Sequence, residues 1–156
     1  MLFGNDYKNL FLQRLSDDND NELTIFITQS KKIETSSISL EDEENEKVRE
    51  LLSTTMQLVS DDMQTYRIYF ESYIIYQGRN ESYAYNDNDH ISAGKGLVLF
   101  EKSKLLDYVN DVMDIPLAKI MQQKNKLQHY GIYTLNNIID VITLCEPVIE
   151  KVNHIA

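Results

Sequence analysis

Residues 65–85, TYRIYFESYIIYQGRNESYAY, carry the densest run of β-branched and aromatic side chains in the chain, and their reading decides the rest. Such side chains sit well on a pleated, half-buried surface, so the run predicts extended backbone. Thr65 to Gln77 reads as one long strand, Gly78-Arg79-Asn80 as a turn, and the residues through Tyr85 as the partner strand of a hairpin. Ile68, Phe70 and Ile74 fall on one face of the long strand, and Tyr69, Tyr73 and Ile75 on the other. Apolar residues on both faces predict a central strand, or one covered on each side.

Moving toward the N-terminus, Leu23, Ile25 and Ile27 alternate with Thr24 and Thr28, which predicts a strand after the polar turn 17–21. A weaker strand is expected over 33–40. Asp6 precedes Tyr7, Leu10, Phe11 and Leu15 at helical spacing, the pattern of a capped amphipathic helix. A stronger helix is expected from the acidic block 41–44, capped by Ser39 and carrying Val48, Leu51, Leu52, Met56 and Val59. The acids suit the positive end of its dipole, although a run like this is ordinarily a solvated first turn.

Toward the C-terminus, residues 86–89 read as a loop, and Gly94-Lys95-Gly96 as a turn feeding the strand Leu97 to Phe100. LVLFEKSKLLDYV (97–109) and YGIYTLNNIIDVI (130–142) align at an offset of 33. In both, a short apolar strand leads to a polar cap (Ser103 or Asn136), an apolar pair (Leu105-Leu106 or Ile138-Ile139) and an aspartate (Asp107 or Asp140). The match predicts two strand-to-helix units, and two copies are too few for a solenoid. Between them, Asp114 and Pro116 can start a helix carrying Leu117, Ile120 and Met121. The expected architecture is α+β, a central mixed and mostly antiparallel sheet with helices packed on it, in a single domain spanning residues 1–156.

Composition narrows the function classes. The chain has 25 acidic against 15 basic residues, a formal charge of −10. Phosphate backbones are bound by clustered Lys and Arg, so direct nucleic-acid binding and attraction to an anionic membrane are not expected. A basic protein partner would be steered toward such a surface, although the same charge also serves plain solubility. The lone Cys145 cannot form an internal disulfide, and no signal-peptide pattern or spanning apolar run is present. The expected location is the cytoplasm.

Catalytic patterns are sparse. There is no G-x-S-x-G, and Cys145, placed by periodicity at the end of an apolar helix, reads as a small buried hydrophobe unless His90, His129 or His154 approaches it. Asp18, Asp20 and Glu22 imitate the start of a calcium loop, but Leu23 stands where that loop needs glycine. Gly94-Lys95-Gly96 precedes a strand, whereas a P-loop precedes a helix. No metal or cofactor is expected.

Tyrosine does rise above background. Six of the ten fall at 66, 69, 73, 76, 83 and 85. Packing on a sheet accounts for part of that number, and tyrosine is also a preferred interface residue. YFESYIIYQGRNESYA, FEKSKLLDYV, HYGIYTLNNIIDVI and EPVIEKV resemble a group of small proteins of low-GC bacteria with no assigned activity. That resemblance brings no catalytic residues with it. By class alone, small acidic bacterial proteins of this kind are similar to immunity proteins that neutralise secreted toxins.

The expected function is a non-catalytic, acidic protein-binding module, in its most concrete form an immunity-type inhibitor of a basic toxin or nuclease. Tyr73, Tyr76, Glu81, Tyr83, Tyr85, Asp87 and Asp89 would form the contact surface. Two alternatives stand beside it. One is a small enzyme of unrecognised type using His129, Glu101 and Tyr133. The other is a self-associating module, a homodimer joined through the tyrosine-rich strand.

Overall fold

Leu23, Ile25 and Ile27 stand directly opposite Phe70, Ile68 and Tyr66 in antiparallel register, so the alternation of two strands places one apolar row on one face. The computed structural model describes residues 2–18, 20–34, 47, 56–84, 89–124 and 126–153. The strands are β1 (Phe11–Asp17), β2 (Leu23–Glu34), β3 (Met56–Phe70), β4 (Ile75–Asn80), β5 (Ile91–Ala93), β6 (Leu97–Lys102), β7 (Gln128–Tyr133), β8 (Asn137–Thr143) and β9 (Val148–Val152). Two helices, α1 (Lys104–Val112) and α2 (Ile115–Gln122), lie between β6 and β7, and Glu81–Tyr83 forms a single 3-10 turn.

The strands make two sheets, ordered β1-β2-β3-β9 and β4-β8-β7-β6-β5. Every neighbouring pair is antiparallel. The β2/β3 row packs against Tyr130 and Ile132 of β7 and Ile139 and Val141 of β8, which are themselves paired across their strands. Each of the buried aliphatic and phenylalanine side chains among them contributes about 1.5–3 kcal/mol by leaving water, whereas Tyr66 is only partly buried. On the other face of the five-stranded sheet, Ile142 packs against Val109 of α1 and Ile115 at the start of α2. The order of layers is sheet, sheet, helices.

Helices and antiparallel strands both form, but the expected single central sheet is two sheets, and sheet outweighs helix. The error lies in the stretch that decided the reading. The strand expected over 65–77 ends at Phe70, and residues 71–74 carry the chain from the first sheet to the second. The crossing is pinned where Thr143 Oγ1 donates to the Ser72 carbonyl at 2.7 Å and the Ile74 amide donates to the Ile142 carbonyl at 2.8 Å. The two-faced apolar pattern thus arises from a change of sheets. Gly78, Arg79 and Asn80 are strand, paired with Ile139, Ile138 and Asn137, so the expected turn and its partner strand are not there.

Three helix expectations are also corrected. Leu10, Leu12 and Leu15 face the core from extended backbone, because a bulge between Leu12 and Arg14 shifts the alternation by one residue and imitates helical spacing. Met56 to Val59 pair with Glu34 to Lys31 as strand. Lys47, within the same expected helix, is helical, and the remainder of that helix and residues 35–40 of the weaker strand lie outside the described residues. Residues 138–142 are strand β8, alternating Ile139 and Val141 inward with Ile138, Asp140 and Ile142 outward. Cys145 consequently follows a strand, not a helix.

The strand expected from Leu97 and the two expected helix starts form, whereas residues 86–88 of the expected loop lie outside the described residues. Ser103 caps α1 by accepting the Leu106 amide, and Asp114 caps α2 by accepting that of Leu117. Among the described residues, no helix is long and apolar enough to cross a membrane.

Candidate functional site

On the outward face of the five-stranded sheet, alternation brings polar side chains together beneath α1. Phe100 of β6 is paired with His129 of β7, and Asp140 of β8 stands between Gly131 of β7 and Gln77 of β4. His129 and Asp140 are buried, and the Asp140 side chain is 1% exposed. A charge so far from water requires partners, and Asp140 has three. His129 Nε2 lies 3.0 Å from Oδ1, while Arg79 Nε (2.8 Å) and Gln77 Nε2 (3.0 Å) both donate to Oδ2. Burial works to raise the Asp140 pKa, but the His129 and Gln77 hydrogen bonds and the Arg79 charge outweigh it and hold the carboxyl below its ordinary range.

The network continues on the far side of the imidazole. His129 Nδ1 lies 2.8 Å from Ser103 Oγ, the same oxygen that accepts the Leu106 amide at 3.1 Å. With Asp140 ionised, Nε2 carries the proton donated to it, and a neutral imidazole then accepts the Ser103 hydroxyl at Nδ1. The Phe100 ring stacks on His129 with centroids 4.1 Å apart.

Above this floor is a cavity of about 340 Å³. Its walls are Phe100, Leu105, Tyr108 and Tyr133, and Arg79, Lys104 and His90 also line it. Gly131 lies where two of these walls converge. A methyl group there would come within 2.8 Å of the Tyr133 ring and 2.9 Å of the Phe100 ring, so both rings approach because no side chain intervenes.

Ser103, His129 and Asp140 are linked by hydrogen bonds as serine, histidine and aspartate are in a hydrolase triad, but the arrangement differs in ways that matter. The serine faces Nδ1 and the aspartate Nε2, the reverse of the serine-protease template. Ser103 has ordinary extended backbone (φ −158°, ψ 155°), without the strain of a nucleophile elbow. Its oxygen is already held as a helix cap.

The expected contact residues lie in separate places. Tyr73, in the crossing segment, and Tyr76, in β4, both donate to Asp17 Oδ2, at 2.8 and 3.1 Å. Their rings meet edge to face at 5.0 Å. Glu81 and the strongly exposed Tyr83 lie beyond the other end of β4, roughly 17 Å away at strand rise. Asp89 is exposed at the turn before β5. Tyr85 and Asp87 lie outside the described residues.

Of the residues considered for an enzyme, His129 and Tyr133 share the cavity, whereas alternation puts Glu101 on the opposite face of β6 from Phe100. The Cys145 sulfur neighbours Ser72 and Gln122, and both ring nitrogens of His129 are engaged elsewhere. Asp18 accepts the Asp20 and Glu22 amides, a turn built by the acids that imitate a calcium loop. Among the described residues, no group of three or more His, Cys, Asp or Glu side chains could hold a metal ion.

The sequence reading missed Arg79, Gln77, Ser103 and Asp140 as members of one site. Asp140 carried the available signal: a lone acid within IIDVI must be buried and paired once that run is read as strand. No family model, curated protein or solved structure matches this chain.

Proposed function

We propose that this chain is a non-catalytic binding protein whose recognition site is the cavity over Asp140. One observation carries the reading. Both oxygens of the buried carboxylate and both nitrogens of its histidine are taken up, which makes a rigid polar floor beneath an apolar slot. Sites that bind small groups have this form, with apolar walls and a few positioned polar atoms. A nucleophile, by contrast, needs a hydroxyl free to attack. The test is a fluorophosphonate probe followed by intact-mass measurement. A binding protein leaves Ser103 unlabelled, while a stoichiometric adduct abolished in Ser103→Ala would overturn this reading in favour of a hydrolase.

A second observation favours a protein as the bound partner. Tyr108, which lines the cavity, is half exposed, and Val112, Leu117, Ile120 and Met121 are exposed on the same two helices. Asp107 and Asp111 lie beside them on α1, Lys104 and Lys119 stand on the same two helices, and the chain as a whole is strongly acidic. A basic partner would be drawn by that overall charge, and an immunity-type inhibitor belongs to this class. On this reading the contact surface moves from the tyrosine-rich stretch to α1 and α2. Binding to a genuine partner would weaken with Tyr108→Ala and Ile120→Asp, and stay unchanged with Tyr83→Ala.

A further inference from the structure

We infer that the cavity over Asp140 accepts a neutral aromatic group, held by ring packing and not by charge. This rests on the cavity being a binding site, as proposed above. The polar floor is complete without a ligand. Both Asp140 oxygens and both His129 nitrogens have partners within the floor. Arg79 is bonded to Asp140 through Nε and also interacts with the Tyr133 hydroxyl. Lys104, which lines the cavity, has a partner of its own.

A charged ligand would therefore leave its hydration behind without meeting an open counter-charge among these residues. Burying an ion without such a partner costs far more than burying a neutral group of the same shape. The ion pair in the floor disfavours both signs alike. A cation near Asp140 also meets Arg79, and an anion near Arg79 also meets Asp140, since the two side chains are 2.8 Å apart.

The walls choose among neutral groups. Phe100, Tyr108 and Tyr133 line the cavity together with Leu105. Phe100 is stacked on His129 at 12° from parallel, and His90 meets the Phe100 ring edge to face at 5.5 Å. Aromatic rings favour such neighbours and gain from them beyond the area they bury, whereas an aliphatic body of equal size gains only the area. A cavity of about 340 Å³ is at the small end of ligand sites, which limits the body to about one or two rings. Tyr108 both lines the cavity and is 52% exposed, so the opening lies beside the exposed apolar residues of α1 and α2. The ring can arrive there free or as a side chain of a protein partner.

The experiment is a titration of ¹⁵N-labelled full-length chain with p-cresol, followed by the amide shifts of His129, Gly131 and Tyr133. Its anionic, cationic and saturated counterparts are 4-hydroxybenzoate, tyramine and 4-methylcyclohexanol. p-Cresol is expected to bind roughly tenfold or more tightly than either ion, because only the ions lose hydration without a counter-charge. It should also bind more tightly than the cyclohexanol. Tyr108→Ala, at the opening and apart from the floor network, should weaken p-cresol, and Tyr83→Ala should not. An unchanged affinity in Tyr108→Ala would overturn the placement in this cavity. Equal or tighter binding of an ion would overturn the neutral class, and equal binding of the cyclohexanol the aromatic one, while either leaves the cavity as a binding site. No response of those amides to any of the four probes would overturn the site itself. A pentapeptide with blocked ends and a central tyrosine tells the two sources apart. Binding at least as tight as that of p-cresol supports a partner's side chain, and binding of p-cresol alone supports a free small aromatic.

Discussion

Two aspartates show how one residue type takes on different work from its surroundings. Asp140 is buried and ionised, with its pKa lowered by its donors, so the folded chain takes up that proton less readily than the unfolded chain. Its contribution to stability is complete at neutral pH. It starts to go as the pH falls past about 4, the ordinary carboxylate value, and is lost once the pH passes below the lower folded value. Urea denaturation across that range should show an acid limb that becomes shallower in Asp140→Asn, and an unchanged limb would mean that other carboxylates set the acid sensitivity. Asp17 instead accepts two tyrosine hydroxyls on a single oxygen. That hydrogen bond, aided by burial and the nearby negative charge, raises the Tyr73 pKa to about 12. Ultraviolet titration of Asp17→Asn should bring Tyr73 back toward 10 and lower Tyr76 as well, and a curve identical to wild type would show that the contact does not persist in solution.

At the level of elements, Ser103 couples a helix to a sheet. Its one oxygen caps α1 and holds the His129 imidazole. Removing a cap costs about 1 kcal/mol, and leaving a buried ring nitrogen without its partner adds about 1–3 kcal/mol. Ser103→Ala should therefore lose about 2–4 kcal/mol in urea, measurably more than a cap alone, and a loss below about 1 kcal/mol would show that the imidazole finds another donor. The cap was legible in the sequence, because SKLL followed by DYV has the polar-then-apolar signature of a helix start. Asn136 preceded an almost identical pattern and misled, since Ile138, Ile139, Val141 and Ile142 satisfy helical spacing while their β-branched side chains favour the strand that forms. The bulge near Gln13 misled for a different reason, since an inserted residue changes the period without any mark in composition. The site was half legible. His129 and Tyr133 were singled out, but Arg79 was assigned to a turn, and its pairing with Asp140 spans 61 residues that local patterns do not connect.

For the whole molecule, the layer order determines which strands are buried on both faces. β7 and β8 receive the four-stranded sheet on one side and the helices on the other. Their residues are correspondingly almost all buried, and His129 and Asp140 of the polar network stand on them. Among the described residues, β1, β9, β4 and β5 are sheet edges with a neighbour on one side only. The β2–β3 ladder is the longest, yet its far end, from Ser30 to Glu34 against Met56 to Ser60, is much less buried than the part beside the core. Protection of an amide follows the free energy of the opening that exposes it, so burial on two faces should matter more than ladder length. Native-state hydrogen exchange is therefore expected to find the slowest amides at Tyr130, Ile132, Ile139 and Val141. The ends of β2 and β3 and the edge strands should exchange sooner through local opening. If the Ser30–Glu34 amides instead outlasted β7 and β8, the β2–β3 hairpin would be the more stable unit, and the floor of the cavity would lie in the part of the fold that opens first.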